Sequence, residues 1–220
     1  MDPATIPRQA RSHRAARHRR QLWHIAAVTA GWLVAGVLVA PPAFADHKCQ
    51  DLSSTLHGTR GDDTLTGDNN GAGPAAVDVI AGLKGNDTIS GLELDDRLCG
   101  GDGYDKINGG NGNDLLNGGY GTDDLFGDPG NDTLEGYGGD DELSGGNDDD
   151  QLLGRADNDK LEGDAGNDVL RGGPGDDTLT GGPGNDQFHG GDGTDTCVVD
   201  AEDTAIPPAG SADCEVVVGP

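Results

Sequence analysis

From Ile80 to Cys197 an apolar residue recurs at every ninth position: Ile80, Ile89, Leu98, Ile107, Leu116, Leu125, Leu134, Leu143, Leu152, Leu161, Leu170, Leu179, Phe188 and Cys197. Leu65 stands upstream of this series. Its flanking positions are mainly polar, as at Thr88, Lys106, Thr133, Glu142, Lys160 and Thr178. One apolar residue between two polar ones predicts a very short strand, because side chains alternate faces along a strand. The apolar residue points inward and its neighbours point out. The other six positions are rich in glycine, which excludes a helix and suits turns, where φ > 0 carries no steric cost. The pattern therefore predicts three-residue strands separated by six-residue turns.

The full unit reads Gly-Gly-x-Gly-x-Asp-x-(apolar)-x. It is clearest in GGDGYDKIN (Gly100 to Asn108), GGNGNDLLN (Gly109 to Asn117) and GGPGDDTLT (Gly172 to Thr180). Its first glycine recurs every nine residues from Gly82 to Gly190, and two more units, Gly58 to Thr66 and Gly73 to Ala81, lie upstream. Residues 67–72 are read as an insertion between those two, giving about fifteen units. Self-similarity at a fixed period marks a solenoid, in which each unit buries its apolar face against the next.

Position six is aspartate throughout: Asp63, Asp78, Asp87, Asp96, Asp105, Asp114, Asp123, Asp132, Asp141, Asp150, Asp159, Asp168, Asp177, Asp186 and Asp195. Position four is glycine except at Ala76, Leu94, Asp148 and Asp157.

Charge sharpens this picture. The chain carries a formal −26, and residues 46–220 hold 8 basic and 39 acidic residues, about −31. Such a chain repels nucleic acid and anionic membrane surfaces and attracts cations. Few bulky apolar residues with high net charge is a signature of disorder. Either the chain is disordered, or something neutralises the carboxylates and holds the loops.

Calcium takes six to eight oxygens from carboxylates and backbone carbonyls. The unit offers both, the carboxylate from position six and the carbonyls from the glycine turn. Two units make one coil, so the loops stack on two sides. One side carries the loops starting at 58, 82, 100, 118, 136, 154, 172 and 190; the other carries those at 73, 91, 109, 127, 145, 163 and 181. An ion between successive loops gives seven gaps and six, a ceiling of about thirteen Ca²⁺.

Over 82–198, and less regularly from 58, the chain resembles the RTX, or hemolysin-type, calcium-binding repeat family, and specifically small secreted actinobacterial members. The resemblance implies an all-β parallel β-roll, a right-handed solenoid spanning 58–198. Its loops would bind several Ca²⁺ through the position-six aspartates and turn carbonyls. Leu94 is expected to spoil its gap, and Asp148 and Asp157 to alter ligation.

Outside the repeat, residues 1–45 read as a secretory signal peptide: six arginines, an apolar run over 22–40, then Ala43-x-Ala45. Export by the general or the twin-arginine route stays open. Residues 46–57 and 199–220 read as N- and C-terminal caps, which a solenoid needs over its end layers.

Four cysteines in a secreted chain imply disulfides. Nearness in sequence favours Cys197–Cys214, which leaves Cys49–Cys99. A zinc site lacks any Cys-x-x-Cys pair.

Neither a nucleophile elbow nor an EF-hand is present, and no catalytic residue is assigned. Tyr104, Tyr120 and Tyr137 fall in successive loops of one side and form a candidate aromatic row. The expected function is a secreted calcium-binding protein that is disordered without Ca²⁺ and folds with it. The alternative is a calcium-stiffened cell-surface adhesion or structural protein with a cell-wall or glycan partner.

Overall fold

A computed structural model describes residues 56–67, 77–203 and 214–219. Residues 1–45, read as a signal peptide, most of residues 46–57, read as an N-terminal cap and holding Cys49, and residues 204–213 of the segment read as a C-terminal cap lie outside the described residues. Among those described, no helix is long and apolar enough to cross a membrane.

The described chain is all β. Its strands are β1 (Leu56–His57), β2 (Thr64–Thr66), β3 (Val79–Lys84), β4 (Thr88–Glu93), β5 (Arg97–Asp102), β6 (Lys106–Asn111), β7 (Leu115–Tyr120), β8 (Asp124–Pro129), β9 (Thr133–Gly138), β10 (Glu142–Asn147), β11 (Gln151–Ala156), β12 (Lys160–Ala165), β13 (Val169–Pro174), β14 (Thr178–Thr180), β15 (Gln187–Asp192), β16 (Thr196–Val199) and β17 (Glu215–Val218). Strands β1 through β15 of odd number form one eight-stranded sheet; the even strands, with β17 beyond β16, form a nine-stranded one. All pairings are parallel, and each regular strand pairs with the one 18 residues away, as in Lys106↔Asp124 and Glu142↔Lys160. The chain thus crosses from sheet to sheet at every unit, and two units make one coil of a β-roll.

The position-eight residues form the core between the sheets. From Ile80 through Leu179 their side chains are almost wholly inaccessible, and Phe188 and Cys197 continue the stack. Leu56 and Cys214 pack against its ends. The core is one apolar residue deep per unit, as the nine-residue period requires.

The strands are longer than the sequence pattern suggests. Most run six residues, from position seven to position three of the next unit, which leaves a turn of only positions four to six. The glycine-rich residues continue to pair because the neighbouring coil satisfies their N–H and C=O groups. The ladder skips position one, as between Ser90↔Asn108 and Leu92↔Gly110, so the strand bends there.

Position two then takes positive φ, and non-glycine residues hold that conformation at Leu83, Leu92, Asp128, Tyr137, Arg155 and Asp164. Leu94 (φ 83°), Asp148 (φ 79°) and Asp157 (φ 76°) do the same at position four. Leu94 donates its N–H to the Asn111 carbonyl at 2.6 Å and keeps its side chain in solvent, so its loop follows the common path.

Gly67 takes the seat that position-one glycines take elsewhere, over Asp78 and against the Gly91 carbonyl. Gly67 thus holds the position-one seat before Asp78, where the sequence count puts the start of an insertion; residues 68–76 lie outside the described residues. At the other end β17 pairs with β16, and Cys197 and Cys214 are disulfide-bonded.

Candidate metal centre

The turns place every position-six aspartate on one of two edges of the roll. Each aspartate ends a turn whose next residue starts a strand, and from Asp63 to Asp177 its backbone carbonyl accepts the N–H of position seven in the following coil, as in Lys106 to Asp87. The Asp side chain folds inward beneath the position-one glycine of its own loop.

On one edge the hydrogen bonds run Asp63 to Asp87, Asp105, Asp123, Asp141, Asp159, Asp177 and Asp195. At each step the backbone N–H of one donates to Oδ1 of the next, at 2.7–3.0 Å. On the other edge Asp78, Asp96, Asp114, Asp132, Asp150, Asp168 and Asp186 are joined in the same way, at 2.6–2.8 Å. The two sets are those the nine-residue count separates.

Only one oxygen of each carboxylate is used. From Asp87 through Asp186, Oδ2 of every position-six aspartate is buried and receives no hydrogen bond. Leaving a polar oxygen in that state is costly unless another group satisfies it. At Asp63, in the first loop, Oδ2 accepts the Thr59 N–H instead.

Burial is the main cause that moves these carboxyls upward, backbone N–H bonds oppose it, and neighbouring carboxylates add to it. Asp105 and Asp114 rise to about 6, Asp123 and Asp132 to about 7, and Asp141 and Asp150 to about 8. The climb peaks in mid-stack, where carboxylates crowd from both sides. Asp87 and Asp177 shift in the same direction for the same cause.

The glycine at position one shapes the remaining wall. A Cβ on Gly100 would stand 2.2 Å from Asp105 Oδ2 and 2.6 Å from the carbonyl oxygen of Gly118, one coil on. At Gly127 the corresponding distances are 2.4 Å to Asp132 Oδ2 and 2.5 Å to the Gly145 carbonyl. A carboxylate and a carbonyl oxygen thus converge beside a bare Cα at most position-one glycines, among them Gly82, Gly91, Gly109, Gly145, Gly163 and Gly172. No group of three or more His, Cys, Asp or Glu side chains capable of holding a metal occurs among the described residues. The donors are therefore one or two carboxylates plus backbone carbonyls. That hard, all-oxygen set suits Ca²⁺ rather than a thiolate- or imidazole-seeking metal.

A further ladder lies outside the aspartate columns. Position-five backbone N–H groups donate to the side chain of position five one coil earlier, as Asn131 to Asn113 Oδ1 at 2.9 Å and Asp176 to Asn158 Oδ1 at 2.9 Å. It satisfies the turn tip and ties adjacent loops. The sequence signal for it is the run of Asn and Asp at position five.

The described ion pairs, such as Arg155–Glu135 and Lys160–Glu142, lie on the outer faces. Of the tyrosines, Tyr104 and Tyr120 are exposed, while the Arg155 guanidinium lies 5.7 Å from the centre of the Tyr137 ring. Cys99 is disulfide-bonded, with its partner outside the described residues. The pattern did not reveal Asp203, whose Oδ1 accepts the Asp186 N–H at 2.9 Å. It stands 17 residues on, one short of the period, where a strict count does not look.

No curated protein matches the chain. The family model for the RTX calcium-binding nonapeptide repeat does match, at residues 52–70, 75–107, 90–125, 100–134, 126–161 and 162–197, well over half of the chain. With the parallel roll and its paired aspartate columns, that match makes the chain a member of the RTX calcium-binding nonapeptide repeat family.

Proposed function

We propose that this is a secreted calcium-binding protein whose two aspartate columns take up several Ca²⁺ ions, and that it folds as it binds them. One observation carries the reading: a column of buried carboxylate oxygens, Asp87 Oδ2 through Asp186 Oδ2, that no protein group satisfies. The position-six aspartates Asp63 to Asp195 would hold the ions together with carbonyls of the glycine loops. Bound Ca²⁺ supplies positive charge between carboxylates that otherwise repel.

The chain's own residues do the rest. Oδ1 of each aspartate fixes the carboxylate against the preceding coil, position-one glycine leaves the space open, and position eight keeps the coils stacked. Because the carboxylates are brought together only in the roll, binding free energy becomes folding free energy.

In this reading residues 1–45 direct export, residues 46–57 and 199–220 close the ends, and Cys49–Cys99 ties the first segment to the roll. Circular dichroism of the metal-stripped protein before and after millimolar Ca²⁺ tests it. The β signal is expected to appear with calcium; the same signal in chelator would reject coupled folding.

A second reading, a calcium-stiffened surface protein, draws on Tyr104 and Tyr120, which are 65% and 44% exposed near the ends of neighbouring strands. Retention on cell wall or glycan resin with Ca²⁺, lost in a Tyr104→Ala/Tyr120→Ala variant, would favour it.

A further inference from the structure

The column that starts at Asp78 does not end with the last nonapeptide on its edge. We infer that Asp203 is its eighth carboxylate and that it closes one further cation gap against Asp186, a site outside the repeat pattern.

Through Oδ1, Asp203 takes the place of a position-six aspartate, while its Oδ2 is held by a backbone N–H, as at Asp63. The Asp186 N–H donates to Asp203 Oδ1 at 2.9 Å, as the Asp168 N–H donates to Asp186 Oδ1 at 2.8 Å. The unit that delivers Asp203 is one residue shorter than the regular nine, its strand β16 running four residues instead of six. It is held by the Asp200 N–H on Asp203 Oδ2 at 2.7 Å and the Glu202 N–H on Asp200 Oδ1 at 2.7 Å.

The ligand is indicated by Asp186 itself. It is fully buried, yet its Oδ2 has no hydrogen-bond partner. Asp186 and Asp203 therefore meet at this end of the column with a buried carboxylate oxygen left unsatisfied. With Asp203 included, the second column has as many carboxylates as the first, and the roll has one more gap than its nonapeptides alone define.

The inference rests on the calcium reading, and its test separates the two. Calcium per chain is counted by native mass spectrometry at saturating Ca²⁺ for the wild-type protein, Asp203→Asn and Asp203→Glu. Asparagine keeps the acceptor oxygen for Asp186 and removes the charge. A folded Asp203→Asn protein that holds one ion fewer supports the site. A folded Asp203→Asn protein with the wild-type count overturns it. If Asp203→Asn fails to fold while Asp203→Glu folds with the full count, charge at this position is required and the site stands. If neither folds, shape rather than charge decides, and the site is overturned. Failure of the wild-type protein to bind any calcium would instead reject the underlying reading.

Discussion

The backbone N–H of Asp123 donates to Oδ1 of Asp141 at 2.9 Å, while Oδ2 of the same Asp141 is buried without a hydrogen bond. One oxygen therefore builds the stack and the other burdens it. Repeated along both edges, this division makes the ion-free roll self-opposing at neutral pH and gives an added cation its place.

The first consequence concerns pH. Without calcium, the buried aspartates have folded-state values raised from the ordinary 3.8 to about 6 for Asp105 and about 8 for Asp141. A group raised on folding contributes its stability fully below the unfolded value and loses it as pH rises through the folded value. The metal-stripped protein should therefore gain β structure near pH 4 and lose it as pH climbs from about 5 to 9. Circular dichroism in metal-free buffer checks this; a β signal that rises over that window contradicts it. Calcium must displace those protons, so its apparent affinity should climb over the same window.

Asp141→Asn should change sign with calcium. It preserves an acceptor for Asp123 and removes a buried charge, so the ion-free protein at pH 8 should gain about 1–3 kcal/mol. In saturating Ca²⁺ the variant should be less stable than wild type and hold fewer ions. Melts in Ca²⁺ read the second arm, and the β signal remaining at pH 8 without Ca²⁺, expected to be larger in the variant, reads the first.

Position one should tolerate no side chain. In Gly100→Ala the new methyl meets Asp105 Oδ2 at 2.2 Å and the Gly118 carbonyl at 2.6 Å. Overpacking of this kind costs about 1–3 kcal/mol, and the variant should also bind calcium more weakly. Leu94→Gly should do the opposite, relieving a left-handed leucine whose side chain is exposed. The gain expected is up to about 1 kcal/mol, since strain of about 1–2 kcal/mol is partly offset by the greater freedom of glycine in the unfolded chain. Denaturant midpoints of the two variants, measured in Ca²⁺, should move in opposite directions.

The cross-link at the C-terminal end spans a sequence separation of 17. Closing a loop of that size is worth about 3 kcal/mol in the chain-entropy description. Cys197→Ser/Cys214→Ser should lose stability of that order, and β17 should lose amide-exchange protection before the central strands do.

Much of this was legible in the sequence because the period is strict. Every ninth residue from Ile80 to Cys197 is apolar and lies in the core, and every position-six aspartate falls on the edge its count assigns. What escaped was backbone conformation. The glycine-rich half of the unit suggested loops, yet parallel pairing at an 18-residue spacing holds most of it in strand. Tyr137 holds φ > 0 between ladder partners on both sides, and Leu83 and Arg155 hold it against a partner on one, which no local propensity reports. Asp203 escaped because a unit shortened by one residue removes it from the period while leaving it in the column.

The most direct test of the aspartate columns as cation sites is calcium uptake measured together with β structure, by titrating the metal-stripped protein at pH 7.5. The columns predict that β signal and bound calcium rise together, saturate at several ions per chain, and fall together on adding chelator. A protein that binds no calcium, or whose β signal is complete before the first ion is added, would contradict that account.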